Sequence, residues 1–500
     1  MLEAEDEPLF ADRAAGIDIA KAGIEVTIRV PSDTRRGGRQ QETRSFRTTR
    51  KDLLALADWL RCWQVSKIGM ESTGDYWKPV YFLLEAEGLD CVLYHAAQVK
   101  ALPGRPKTDK LDSVWLAKIT ERGALPGSFV PPEEIRRLRT HTRYRRHLTQ
   151  ARTAEKQRAE KLLEDAHLKL SSVISDIHGV SGRAMLEAIA AGERNPTTLA
   201  QLARGTMRGK IRQLEEALDC SFLTGEHAAV LAMMLAAIDY YTARIEELTA
   251  KIGVLCQPYE HQIAQLDAVP GTGVITAQDV IAEIGTDMAV FPTAAHLVSW
   301  AKWCPQVAQS GGKRKGASAS GRGNRYIGAA LGEAAISAGR TQSFPGAKYR
   351  RLVKRMPKKK ALVATGNSLL TIYHALLSDP QAAYTDLGTD YYEQRANIRR
   401  QVRNHVRAIQ RHGYKVTIEP IDPATGELQA AGGGAVGSGG MGGLAAGCLV
   451  FSGGGVDGLD GDLVAEAFQT ADVVAGLAAD VRAAFVVVGA EVGVGGLRVR

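Results

Sequence analysis

AAGIDIAKAGIEVTIRV, residues 14–30, is the stretch from which the rest of the chain can be read. It reads as a strand, a short turn and a second strand, because β-branched and apolar residues recur on either side of a small Ala/Lys/Gly break. Asp18 stands inside the first run, flanked by Ile17 and Ile19. A carboxylate there is costly to bury unless it is paired or binds a metal. The same residue therefore marks a strand and a candidate site.

Reading outward, ETRSFRTT (42–49) offers a third strand, and KDLLALADWLRCW (51–63) has apolar residues at helical spacing. SKIGME (66–71) is a short buried strand that ends on Glu71. A helix over 75–88 closed by Gly88, a strand over 89–95 and a helix over 107–123 closed by Gly123 follow. Three leading strands and then alternating helices and strands is the order of an RNase H-like mixed sheet. Residues 13–125 are thus expected to form an α/β RNase H-like (RuvC-like) domain.

The remainder reads as mainly α-helical. Residues 131–255 hold two long amphipathic candidates, one opening on Pro131-Pro132 and one over 239–255. This segment is expected to be coiled-coil-like, serving dimerisation and RNA contact. Residues 260–385 read as a compact helical domain with Gly-rich turns. Within it, LDAVPGTGVITAQDVIAEIG (266–285) has either the form of a helix-hairpin-helix, with Gly271 and Gly273 offering backbone N–H groups to phosphate, or that of an ordinary helix–turn–helix corner. Residues 425–500 are Gly-rich and of low complexity, and are expected to form a disordered tail or a read-through.

The formal charge is +8, unevenly spread. Residues 301–360 hold fifteen Lys and Arg against one acid, Glu333. Such a stretch repels itself unless an anion neutralises it, which points to nucleic acid. MLEAEDEPLF has no apolar leader pattern, and a cytoplasmic, nucleoid-associated protein without a membrane partner is expected. The six cysteines, Cys62, Cys91, Cys220, Cys256, Cys304 and Cys448, have no zinc spacing and read as reduced thiols, mostly core filler.

Four acids carry the chemistry: Asp18, Glu71, Asp109 and Asp112. In an RNase H-like sheet the first strand and the one ending in Glu71 lie side by side. Asp109 and Asp112 are spaced i, i+3 on one helix face. Such a set suits Mg²⁺, which takes oxygen ligands in near-octahedral geometry. Two Mg²⁺ ions, with Mn²⁺ as substitute, would assist an in-line phosphoryl displacement.

GIDIAK (16–21), GMESTGDYW (69–77) and KTDKLDSVWLA (107–117) together resemble the D-E-D-D motif set of the IS110 insertion-sequence transposases, the bridge-RNA-guided recombinases. The resemblance spans about 13–385. It implies a DNA recombinase with catalytic Asp18, Glu71, Asp109 and Asp112, acting on element ends and target DNA. It also implies a guide-type non-coding RNA, a homo-oligomer (dimer or tetramer) and a serine nucleophile. By motif position that serine is Ser310 in AQSGGKRKG (308–316); by chemistry alone Ser318 and Ser320 compete. The resemblance further implies a covalent phosphoserine link and a composite site with the carboxylate domain of another protomer. WAKWCP (300–305) departs from the family's usual wording.

Lys313, Arg314, Lys315, Arg322 and Arg325 are candidates for holding the scissile phosphate, and Lys354, Arg355, Lys358, Lys359 and Lys360 for contacting phosphate backbones. Tyr326 and Tyr349 read either as base-stacking or as packing residues. The alternative function is a stand-alone RNase H-like nuclease or Holliday junction resolvase, which needs the carboxylates but not Ser310. A sugar-kinase or actin-like ATPase needs a second Gly-rich phosphate loop that the sequence lacks. A non-catalytic binder gains nothing from four acids that repel its ligand.

Overall fold

The computed structural model describes residues 10–32, 38–72, 74–102, 109–305, 309–310, 313–314 and 323–411. The Gly-rich tail at 425–500 lies outside them. The chain divides into two compact units, Met1–Pro131 and Pro132–Arg500.

The first unit runs β1 (Ala14–Ile19), β2 (Gly23–Pro31), β3 (Arg39–Arg47), α1 (Arg50–Cys62), β4 (Lys67–Glu71), α2 (Trp77–Ala86), β5 (Cys91–Tyr94), α3 (Ala96–Ala101) and α4 (Asp109–Arg122). Its sheet has the order β3-β2-β1-β4-β5. The break between β1 and β2 is too short for a parallel return, so β1, β2 and β3 are antiparallel. Helices α1 and α2 supply the crossovers that make β4 parallel to β1 and β5 parallel to β4. This is the RNase H-like arrangement that the element order foretells.

Alternation along the strands assigns the two faces. Ala15, Ile17, Ile24, Val26, Ile28, Ile68 and Met70 form one core with Leu53, Leu56 and Leu60 of α1 and Val80 and Leu84 of α2. The alternate positions, including Gly16, Asp18, Gly69 and Glu71, belong to the opposite face. Helix α4 lies on that face almost without intervening side chains. A Cβ at Gly16 would stand 2.1 Å from the Ala117 nitrogen and 2.3 Å from the Ser113 oxygen, and one at Gly69 would stand 1.9 Å from Thr120 Oγ1.

The second unit begins with α5 (Glu133–Asp165), then α6 (Leu170–Val173), α7 (Val180–Ala190), α8 (Pro196–Ala200), α9 (Ile211–Ala217) and α10 (Gly225–Cys256). Helices α5 and α10 pack on each other, and the short helices between them close a core with the end of α5 and the start of α10 around Leu163, Met185, Leu186, Ile189, Leu214, Leu231 and Leu235. Thr224 caps α10 reciprocally with His227. Next come α11 (Glu260–Asp267), α12 (Val274–Ile284), α13 (Ala294–Ala301), the two-stranded hairpin β6 (Gln309–Ser310) and β7 (Lys313–Arg314), and α14 (Arg325–Gly339), α15 (Phe344–Val353), α16 (Lys358–Ser378) and α17 (Tyr391–Arg411). Tyr373 on α16 is fully buried and bonds Thr272 at 2.6 Å.

Helix α16 and the stretch Gly225–Asp267 are long and apolar enough to cross a membrane. Half of that apolar window is buried in α16, against 22% in Gly225–Asp267. Helix α16 is surrounded by α11, α13, α14 and α15, and α10 lies along α5.

Candidate active site

The β1–β4 ladder pairs Ala14 with Lys67 and continues in step to Ile17 with Met70. The next step sets Asp18 beside Glu71 at the ends of two parallel neighbours, on the same face, with strands about 4.8 Å apart. Glu71 is buried, at 8% exposure. On the other flank of Asp18 the β1–β2 register sets Glu25, which accepts a hydrogen bond from Ser45 Oγ at 2.5 Å. Like charges directly opposed on a ladder are unfavourable. Asp18 has such neighbours on both sides.

Helix α4 delivers the other two acids to the same end. Ser113 Oγ meets Thr27 Oγ1 at 2.8 Å, and Thr27 is level with Gly16. Further along α4, Glu121 receives Arg29 Nε at 2.9 Å, and Arg29 is level with Ala14. The helix therefore runs antiparallel to β1, and its first turn, with Asp109 and Asp112, lies toward the strand end that carries Asp18. Asp112 is half-buried, while the side chain of Asp109 lies outside the described residues. Among the described residues no group of three or more His, Cys, Asp or Glu could jointly hold one ion. The structure thus brings Asp18, Glu71 and the Asp112 turn to one end of one sheet face without closing them on a common point. An all-oxygen set in which one carboxylate is nearly buried beside another fits a hard divalent cation.

In the second unit Ser310 ends β6 and pairs with Lys313 of β7, and Gln309 pairs with Arg314. Only the main chain of these four residues is described, and Lys315, Arg322, Ser318 and Ser320 lie outside the description. Both stems of the segment are fixed. Before it, the Trp303 carbonyl accepts Asn367 Nδ2 at 3.1 Å, and the Trp303 ring packs so closely on Gly366 that a Cβ there would meet it at 2.2 Å. After it, Asn324 caps α14 by accepting the Tyr326 N–H at 2.9 Å. A cavity of about 220 Å³ at this base has Lys302, Trp303, Asn324 and Arg325 on its wall.

Comparison with known families gives two matches. A model of the D-E-D-D IS110 type, described as "Transposase", matches residues 15–168, and a model described as "Transposase IS116/IS110/IS902 family" matches residues 263–350. The chain belongs to the IS110 transposase family. It is an enzyme acting on DNA. No curated protein matches it. Among solved structures it is similar to "Thermus thermophilus RuvC structure", with 12% identity over 21% of this chain and 90% of that chain, at a TM-score of 0.17.

The first match spans Asp18, Glu71, Asp109 and Asp112, and the second spans Ser310. The buried ion-pair network was not anticipated from the sequence. Glu283 of α12, 1% exposed, receives Arg143 of α5 bidentately at 2.8 and 2.9 Å. Asn324, the cap that follows the serine segment, donates to the same carboxylate. Arg139 donates to the carbonyls of Ala282 at 2.9 Å and Glu283 at 2.6 Å. Burial lowers the Arg139 pKa to about 10 against the pull of Glu283. One turn earlier on α12, Asp279 is held by Arg145 at 2.7 Å, and burial still raises the Asp279 carboxyl above its usual range. These bonds lock α5 to α12 and tie the start of α14 to both. A signal was present: Glu283 interrupts the apolar run Val280-Ile281-Ala282-Glu283-Ile284, and a charge on a buried helix face demands a partner.

Other expectations receive sharper answers. Tyr326 lies under the Arg143 and Arg325 guanidinium groups, at 4.3 and 4.8 Å, and its hydroxyl accepts Arg325 Nη2 at 2.7 Å. Tyr349 packs on Gly339. Both serve packing in this state. Gly271, at φ +94°, is forced by α14, since a Cβ would stand 2.5 Å from the Ala334 oxygen. It forms the tight corner that either form of this segment requires. Gly273, at the start of α12, has open space around it. Lys354, Arg355, Lys358, Lys359, Lys360 and Arg325 are exposed, as a phosphate-contacting role requires. Cys220 and Cys256 are buried, and burial raises the Cys91 thiol to about 12 and Cys256 to about 11. Cys62 departs from the core-filler expectation, because it ends α1 on the exposed side.

Proposed function

We propose that this transposase cuts and rejoins insertion-sequence DNA through a serine nucleophile, in a Mg²⁺-dependent reaction guided by a structured RNA. The observation that carries the reading is the adjacency of Asp18 and Glu71 at neighbouring strand ends, with the first turn of α4 directed to the same end. Asp18, Glu71, Asp109 and Asp112 would hold Mg²⁺, and enzymes of this type generally use divalent ions. The bound cation supplies charge neutralisation at the phosphate oxygens. Mn²⁺ would substitute.

Ser310 Oγ gives up its proton and forms the new bond to phosphorus, one DNA P–O bond breaks, and the departing oxygen takes up a proton in its place to leave as a hydroxyl. Attack by a second DNA hydroxyl on the phosphoserine reverses the balance and joins the strands. Lys313, Arg314, Lys315, Arg322 and Arg325 hold the phosphate and offset developing negative charge. Lys354, Arg355, Lys358, Lys359 and Lys360 grip backbone phosphates without reading bases. Sequence choice then falls to RNA–DNA pairing, with the RNA recognised by shape and charge.

A homo-oligomer, dimer or tetramer, is supported by the exposed apolar residues Val230, Met233, Tyr240 and Val254 along α10. The protein would act in the cytoplasm, at the nucleoid when bound to DNA.

The test combines purified chain, donor and target plasmids, Mg²⁺ and the flanking non-coding RNA. The expected result is a detergent-resistant protein–DNA adduct and a recombinant product, both lost in Ser310→Ala. Undiminished DNA cleavage by Ser310→Ala would replace this reading with the junction resolvase.

A further inference from the structure

Helix α17 (Tyr391–Arg411) lies outside both family matches and follows the compact part of the second unit. It is rooted at its N-terminal end. Tyr391 and Tyr392 pack on Phe344 with ring centroids 5.1 and 5.5 Å apart, and the Arg351 guanidinium sits 4.1 Å over the Tyr392 ring. The preceding turn is tied to α15, where Asp386 accepts the Phe344 N–H at 3.0 Å. From this root the helix extends about 31 Å at 1.5 Å per residue.

Its composition is one-sided. The helix carries six arginines and a single acid, Glu393. At 3.6 residues per turn, Arg400, Arg403, Arg407 and Arg411 fall within roughly 80° of one another. All four are exposed. Among the described residues no carboxylate pairs with any of them; Arg400 donates to Asn397 at 3.0 Å. Like charges spaced i, i+3 and i, i+4 disfavour the helix they sit on. An anion of matching extent relieves a row of three such steps.

We propose that the Arg400–Arg403–Arg407–Arg411 face of α17 is a docking surface for duplex DNA. Charge complementarity selects a polyanion, and the length of the row suits a repeating phosphate backbone. A rod about 10–12 Å across enters the major groove of B-form DNA, about 12 Å wide, whereas the deep, narrow major groove of A-form RNA does not admit it. The surface is independent of Ser310 and of the carboxylates, so it is assayed without catalysis.

The experiment measures binding of the full chain to a short DNA duplex in EDTA, between about 50 and 200 mM salt. Arg400, Arg403, Arg407 and Arg411 are changed together to Ala, which keeps helix propensity high, and in a second variant together to Lys. The Ala variant should lose about 10- to 100-fold in affinity, and the slope of log K against log salt should fall by about 3 to 4. The Lys variant should restore most of both, which separates lost charge from lost folding. Unchanged duplex affinity and slope overturn the proposal. So does a loss confined to an RNA hairpin probe, or one that appears only as dissociation of an oligomer.

Discussion

The two units fix their polar groups by different means. In the first, backbone register does the positioning: Asp18, Glu25 and Glu71 occupy neighbouring strands at matched levels, and two glycines let α4 settle on the sheet. In the second, side chains bond to side chains: Arg143, Glu283 and Asn324 join three helices, and the last of them closes the serine segment. A register-built site is stiff because moving one acid means moving a strand. A side-chain-built site depends on a few ion pairs, each costly to break singly.

That contrast can be broken most visibly at Glu283. Glu283→Ala leaves the half-buried Arg143 and Arg139 without their buried counter-charge, and removing one partner of a buried pair costs up to about 3–5 kcal/mol. Urea unfolding should show that loss in the Pro132–Arg500 unit, with the first unit unchanged. A loss below about 1 kcal/mol would place the network among ordinary surface pairs.

Gly16→Ala probes the other unit. Its Cβ would press on the backbone of α4 rather than on a movable side chain. Overpacking of this kind costs about 1–3 kcal/mol. DNA cleavage should fall further than stability alone explains, because the turn bearing Asp109 and Asp112 would be displaced. Unaltered melting would mean that α4 does not rest on the strand as described.

Lys348 supplies the pH-dependent test. Burial, aided by Arg351, lowers its pKa to about 8 from 10.5. Between those values the unfolded chain binds more protons than the folded one, so this residue makes stability rise with pH across that window. Below it both states are charged and the burial penalty is fully present. Lys348→Met should raise the melting temperature at neutral pH and flatten the rise between pH 8 and 10.5. A variant with an unchanged profile would show that the ammonium is not desolvated.

The same contrast explains what the sequence disclosed. Strand alternation around Asp18, the carboxylate closing KIGME and the i, i+3 acids of α4 are local patterns, and the element order then sets which strands are neighbours. The mixed sheet followed from those, and so did the placing of Asp18 and Glu71 at the ends of neighbouring strands. Glu25 was passed over because its relation to Asp18 is a cross-strand register, fixed only when the turn between β1 and β2 is known. The Arg139–Arg143–Arg145 ladder joins residues more than a hundred positions apart, which periodicity cannot pair. The Arg row of α17 is legible by helical spacing, but it lies beyond the motifs, whose resemblance ends at about residue 385.

Titration of the full chain with Mn²⁺, followed by calorimetry, tests the strand-end site without relying on DNA, RNA or Ser310. Saturable binding is expected in the unaltered chain, and Asp18→Asn and Glu71→Gln should each weaken it at least about tenfold, with melting of the metal-free chain unchanged or raised. Binding that is equal in all three proteins, or absent from the unaltered one, would contradict a cation site at the ends of β1 and β4.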